Sequence, residues 1–278
     1  MQNIISNGIG ISVGTNLVSP SAFDYILTSS GDAEVAYSFR KLSTDDIYNG
    51  PCLRLRRNVD NAELDVPFNG TSVDIDSMEV FCGAFSGFIV KWYDQSGNGN
   101  HSVQSVLASQ PQVVSSGVTE VSSFNGLPAM HCVADYFLYT SGVPTTQLFY
   151  ESFVIGRTAS TNTHFGSEVS FWHLISGWNQ QTIFTAAGTY TVHESLQSQT
   201  GDFLMTTLRD SSNNVKIYRN TTALATANYA NLAGNYIYLM NRGTQTTGEV
   251  QEYILWAKDK ELERTDIESN INDYYSIW

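Results

Sequence analysis

Positive charge is scarce in this chain. It carries 14 Lys and Arg against 27 Asp and Glu, a formal net charge of -13. Nucleic acids are held by basic patches on their phosphates, so this balance excludes a nucleic-acid partner. An acidic surface also repels anionic membranes. Cysteine is scarce too. Cys52, Cys82 and Cys132 show no C-x-x-C spacing, too few and too scattered for a zinc site. An odd count without a close pair reads as reduced thiols in a protein made in a cytoplasm. No run of 18 apolar residues is present, so no helix is expected to insert into a membrane. The segment 1–7 lacks both a basic start and an apolar stretch, so no secretory signal is expected.

What is there is β-patterned. With 278 residues, 42% of them hydrophobic and 15% charged, the chain can bury one large all-β core. Residues 1–32, rich in Ser, Asn and Gly, read as an extended N-terminal arm, either a frayed edge or a docking segment. The domain is expected to fill 33–278. Val35, Tyr37 and Phe39 alternate with smaller or polar residues, as do Leu53 and Leu55, and Leu64 and Val66. Further strands are expected at 149–155, 171–175, 182–184, 203–209, 215–218, 236–240 and 250–256, with a polar hairpin turn at 210–214. A short helix is expected over 76–81, capped by Asp74 or Asp76. A closing helix is signalled by a capping box, Thr265 with Glu268, and by Ile267, Ile271, Tyr274 and Trp278 at helical spacing.

The densest motif is Trp92-Tyr93-Asp94-Gln95-Ser96-Gly97-Asn98-Gly99-Asn100-His101. Gly97 and Gly99 suit left-handed backbone, and Asp94 and the Asn side chains suit capture of turn N–H groups, so this reads as a tight turn. Asp94, Ser96 and Asn98 also match the opening of a calcium loop, but Ser105 stands where the closing Glu belongs. The turn is the favoured reading and a structural Ca2+ the alternative, with no other cofactor expected.

This motif resembles the signature of the α-L-arabinofuranosidase B catalytic module. The blocks 36–42, 50–57 and 60–63 share that likeness. The second half, with its closing block 264–275, looks like concanavalin A-like, laminin-G-like domains of bacteriophage particle proteins. Together these likenesses imply a concanavalin A-like jelly-roll β-sandwich with a C-terminal helix and an N-terminal arm. Such sandwiches carry lectins, hydrolases and purely structural modules, so fold does not fix function.

A retaining glycosidase needs two carboxyl groups about 5 Å apart. The likeness implies a nucleophile in the stretch 191–195, where Glu194 is the sole candidate. It implies an acid at Asn241, and an amide cannot protonate a leaving group. The adjacent cysteine pair of the family is absent. Other acids, among them Asp135, Glu151, Glu168 and Asp202, are present, but sequence does not pair them. Trp172, His173, Trp178 and Tyr190 form the candidate glycan surface, with core packing as the alternative. Arg40, Lys41, Arg54, Arg56 and Arg57 are expected to pair with Asp60, Glu63 and Asp65, an anionic-glycan site being the alternative.

These features lead to an expectation of a non-enzymatic virion surface protein, a head or tail decoration, fibre or adhesin. It would be made in the host cytoplasm, assemble as a homo-oligomer such as a trimer with other virion proteins, and meet host polysaccharide. The alternative is a glycoside hydrolase of α-L-arabinofuranosidase type.

Overall fold

Antiparallel strands dominate the computed structural model, which describes residues 25–29, 31–133, 138–141, 148–157, 163–168, 171–175, 181–185, 190–193, 201–228, 236–239 and 247–278. The architecture is an all-β sandwich. One layer runs, in spatial order, through the strands Thr222–Asn228, Asn214–Arg219, Gly201–Arg209, Phe149–Arg157 and Thr247–Trp256. Val35–Ser38 pairs beside the far half of the Thr247 strand. The facing layer holds Glu63–Val66, Leu53–Arg57 and Gly87–Trp92, then passes through Ser102–Val103 to Leu138–Ser141 and Tyr236–Leu239. Met130–Val133 joins the layers, pairing with the start of the Thr247 strand on one side and with Gln112–Ser115 on the other.

The expected strands of the second half all appear. Most are extended by a residue or more, and the 236–240 strand ends at Leu239. The 210–214 turn closes its hairpin through Asp210 N–H to Asn214 O, with Asn213 left-handed at φ 66°. The first helix covers Ile75–Cys82 and is capped by Asp74, whose Oδ1 accepts the Ser77 N–H at 3.0 Å.

Period-2 alternation produces two cores, because both faces of the Phe149 layer are covered. Phe149, Phe153 and Ile155 join Tyr37, Phe39, Trp92 and Tyr253 between the layers. There the Phe153 and Tyr253 rings lie 4.5 Å apart and the Phe39 and Trp92 rings 4.9 Å. Tyr150, Val154, Leu204, Leu208, Ile254 and Trp256 face outward and are covered by Ile267, Ile271 and Tyr275 of the closing helix, with Leu27 beside them.

The register shifts once in this layer, so that Val154 pairs with Glu252 and Ile155 with Val250. Gln251 is the extra residue of a β-bulge. The bulge brings Val250 into the inner row and turns Glu249 outward, with consequences described below.

The closing helix departs from its sequence signals. It spans Arg264–Tyr275 with Glu263 at the N-cap and no side-chain cap bond, so Thr265 and Glu268 form no capping box. The start at Arg264 puts Thr265 inside the helix, and Glu268 falls on the buried face, paired with Arg264. Tyr275 completes that face. Ser276 adopts a left-handed φ of 52° that ends the helix, and Trp278 emerges 48% exposed. Cys52, Cys82 and Cys132 are buried free thiols. The proposed arm, 1–32, falls mostly outside the described residues, although Leu27 N–H bonds to Leu42 O and its side chain is buried.

Candidate functional site

The signature turn is built around one buried carboxylate. Asp94 Oδ1 accepts the N–H groups of Ala36 at 2.8 Å and Ser96 at 2.9 Å. Its Oδ2 accepts the Ser96 hydroxyl at 2.7 Å and the Asn100 N–H at 3.0 Å. Burial raises the Asp94 pKa while these donors oppose the rise. Asn98 and Asn100 donate to Ala33 and Glu34 carbonyls, Gln95 spans Ser38, Arg40 and Leu42, and His101 Nδ1 accepts the Asp94 N–H. Gly97 and Gly99 hold φ of 88° and 77°, conformations that L side chains resist. The turn therefore splices the Gly87 strand to the Val35 strand. The oxygens of Asp94 and Ser96 face N–H and O–H donors, the reverse of the array a calcium ion needs. Among the described residues, no group of three His, Cys, Asp or Glu gathers as a metal site.

The basic residues split. Arg54 grips Asp65 through two bonds of 2.7 Å, and Arg57 holds Asp60, as their spacing predicts. Lys41 pairs with Asp45. Arg56 instead reaches Gln110 and Asn61, and Arg40 is buried against Glu252. Their donors are committed within the fold, which leaves no fork for an anionic glycan.

Of the candidate glycan residues, Trp172 and His173 fall in the strand Phe171–Ile175 and Tyr190 in Tyr190–His193. The register aligns Trp172 with Phe184 and Phe184 with Tyr190, one row across three strands. His173 aligns with Ile183 in the adjacent row. Trp178, Glu194 and Asn241 lie outside the described residues.

The structure assembles a carboxylate pair that sequence left unpaired. Gly156 is the register partner of Asp202 on one side and of Glu249 on the other, so the three form one row on the outer face. The Gln251 bulge is what turns Glu249 into that row. Gly156 leaves the gap: a Cβ there would stand 2.4 Å from Glu249 Oε2 and 2.9 Å from Asp202 Oδ1. The two carboxyl groups therefore face each other across Gly156 with no side chain between them. The loop 122–127 roofs the pair. Ser122 Oγ donates to Asp202 at 2.8 Å, and Ser123 Oγ donates to Glu249 at 3.1 Å. His131 Nε2 stands 3.6 Å from Glu249. Burial, with the Glu249 charge adding to it, raises the Asp202 pKa to about 6, against the pull of the Ser122 bond. Asp202 also lines a cavity of about 340 Å3 with Phe124, Asn125, Phe203 and Asn220. The remaining acids behave differently: Glu151 is buried and accepts the Tyr253 hydroxyl, and Asp135 lies outside the described residues.

Comparison with known proteins bears on this site. Residues 28–133 match the family model described as the catalytic domain of alpha-L-arabinofuranosidase B. No curated protein sequence matches the chain. Among solved structures, an arabinofuranosidase complexed with arabinofuranosyl-alpha-1,2-xylobiose is similar, with a TM-score of 0.59 at 14% identity over 87% of this chain and 63% of that one. A GH54 a-l-arabinofuranosidase soaked with a cyclic sulfate inhibitor gives 0.57 at 15% identity over 86% and 62%. A Glu-to-Gln mutant of a GH54 enzyme soaked with 4-nitrophenyl a-l-arabinofuranoside gives 0.58 at 15% identity over 86% and 62%. The chain spans less than two thirds of the length of each, and at these identities the likeness speaks for the sandwich fold. The match to a catalytic family overturns the expectation of a non-enzymatic virion protein. That expectation rested on the closing block, the unmatched secretory signal, the N-terminal arm and the amide at Asn241. Of these, the closing block forms an amphipathic helix, which will cover any sandwich with an apolar outer face.

Proposed function

We propose that this chain is a glycoside hydrolase of α-L-arabinofuranosidase type. The observation that carries the reading is the family match over residues 28–133, the part of the chain in which the signature turn is built in full. Two further features support it. The fold is shared with arabinofuranosidases along 86% or more of this chain. Asp202, a buried carboxyl group, lines a cavity of about 340 Å3, where the proton donor of such a hydrolysis would sit.

Incubation with 4-nitrophenyl α-L-arabinofuranoside and with an arabinofuranosyl xylobiose tests the reading. Release of arabinose is the expected result. A folded protein that releases none from either substrate overturns it. Glu194→Gln belongs in the same assay: lost activity identifies Glu194 as a nucleophile, and unchanged activity removes it from the reaction.

A further inference from the structure

We propose that Asp202 is the general acid/base of this hydrolase, seated on the cavity beside it, with Glu249 facing it across Gly156 as a positioning residue. The assignment rests on the hydrolase reading above and names the group that supplies the proton Asn241 cannot.

The geometry sets Asp202 apart from several other described acids. Asp32, Asp65 and Asp60 each face a Lys or Arg, which holds a carboxylate ionised, and Glu252 is forked to Arg40 within the fold. Asp94 spends both oxygens on its turn. Asp202 has no cation among its named partners. Ser122 Oγ lies 2.8 Å and 3.0 Å from its two oxygens, the Asn125 N–H adds a further bond, and the residue lines the 340 Å3 cavity. Phe124 stands at that cavity 45% exposed, an apolar face of the kind that packs on sugar C–H groups, and Phe203 adjoins Asp202 in the lining.

Burial, with Glu249 adding to it, favours the protonated form of Asp202. Glu249 faces Asp202 across Gly156 with no Cβ between them. Carboxylates that face each other resist ionising together, which favours the proton on Asp202. Among the described residues, the other elements around the pair bring these groups. The loop contributes Ser122, Ser123 and Asn125. The Met130 strand contributes His131, which lies on Glu249 with Glu120 behind it. The Asn214 strand contributes Arg219, seated over the Phe203 ring at 5.8 Å. The closing helix contributes Ser276 and Ile277 just beyond its end. The Asp202 pKa of about 6 agrees with an acid that is half protonated at about pH 6 and still carries its proton in a minor fraction at neutral pH.

The step balances as follows. As the bond from the anomeric carbon to the glycosidic oxygen breaks, the Asp202 proton goes to that oxygen and the alcohol leaves. The anomeric carbon takes up the oxygen of one water, and a proton of that water returns to the Asp202 carboxylate. One water is consumed, and Asp202 ends protonated as it began.

The test compares two leaving groups. 4-Nitrophenol leaves with little protonation, whereas a xylobiose hydroxyl needs the acid. A general acid is worth about 10²–10⁴-fold, so Asp202→Asn should lower kcat/KM on the arabinofuranosyl xylobiose by about that factor and on the nitrophenyl substrate by roughly tenfold or less. Glu249→Gln should move the basic limb of the wild-type pH profile to lower pH, which a purely structural role would not do. Asp202→Glu, which keeps the acid, should retain that limb at a shifted position and serves if the amide variant fails to fold. Equal losses on both substrates, unchanged rates in Asp202→Asn, or a wild-type profile with no basic limb overturn the assignment while leaving the hydrolase reading intact. No release by the folded wild type from either substrate overturns both.

Discussion

Arg40 and Glu252 form a buried fork. Arg40 Nε lies 2.7 Å from Glu252 Oε2 and Nη2 lies 3.1 Å from Oε1, with the two side chains 3% and 1% exposed. The pair locks the end of the Val35 strand to the Thr247 strand. Arg40 Nη1 also donates to Asn270 of the closing helix at 2.9 Å, and the Ser38 hydroxyl donates to the same carboxylate. Removing one partner strands the other charge in the interior, at a cost of about 3–5 kcal/mol. Arg40→Ala or Glu252→Ala should show that loss in urea denaturation. Replacing both with apolar residues of matching volume should recover much of it.

Asp202 makes stability depend on pH in a direction opposite to most acids. Its folded pKa, about 6, lies above its ordinary value of 3.8. The folded state therefore binds the proton more tightly, so the contribution is fully present below the ordinary value and is lost as pH rises through about 6. The wild-type melting temperature minus that of Asp202→Asn should fall between pH 4 and pH 7. A flat difference would show that Asp202 titrates alike in both states.

Gly156→Ala tests the gap between the carboxylates. The new methyl would sit 2.4 Å from Glu249 Oε2 and must displace it. Overpacking of this kind costs about 1–3 kcal/mol. Chemical denaturation should show that loss, and arabinose release, if present, should fall with it because both carboxylates move.

Asp94→Ala should be severe for a different reason. It leaves the Ala36, Ser96 and Asn100 N–H groups and the Ser96 hydroxyl without their acceptor. Each unsatisfied buried donor costs about 1–3 kcal/mol, so denaturation should find at least a few kcal/mol lost. Calcium titration of the wild type should leave the melting temperature unchanged, since these oxygens already face donors.

Strands and turns were legible because their signals are local. Alternation marked the strands near 35 and 53, a series of short strands spaced by turns marked those from 149 onward, and Asp210 to Asn214 marked a hairpin. The signature turn was legible too, since Asp94, Gly97 and Gly99 determine its shape within a few residues. The Asp202 and Glu249 pair was not. It depends on a loop near 122, the ends of two other strands, and a bulge at Gln251 that reverses which residues face outward. Asp202 was visible only as an acid without a partner. The capping box misled because Thr265 and Glu268 satisfy the motif, while burial of Ile267 and Ile271 fixes the helix phase and carries Glu268 inward. Trp172, His173 and Tyr190 sat correctly in strands, yet the register divides them between two rows.

The three thiols have a practical meaning. Cys52 precedes the Leu53 strand, Cys82 ends the first helix and Cys132 sits in the strand that joins the layers, and burial pushes each thiol pKa upward. A thiolate forms only when its neighbourhood opens to water. The native chain thus carries three built-in clocks, one per region. The order in which alkylation reaches them, read by mass, would rank how often each region breathes without any label being introduced.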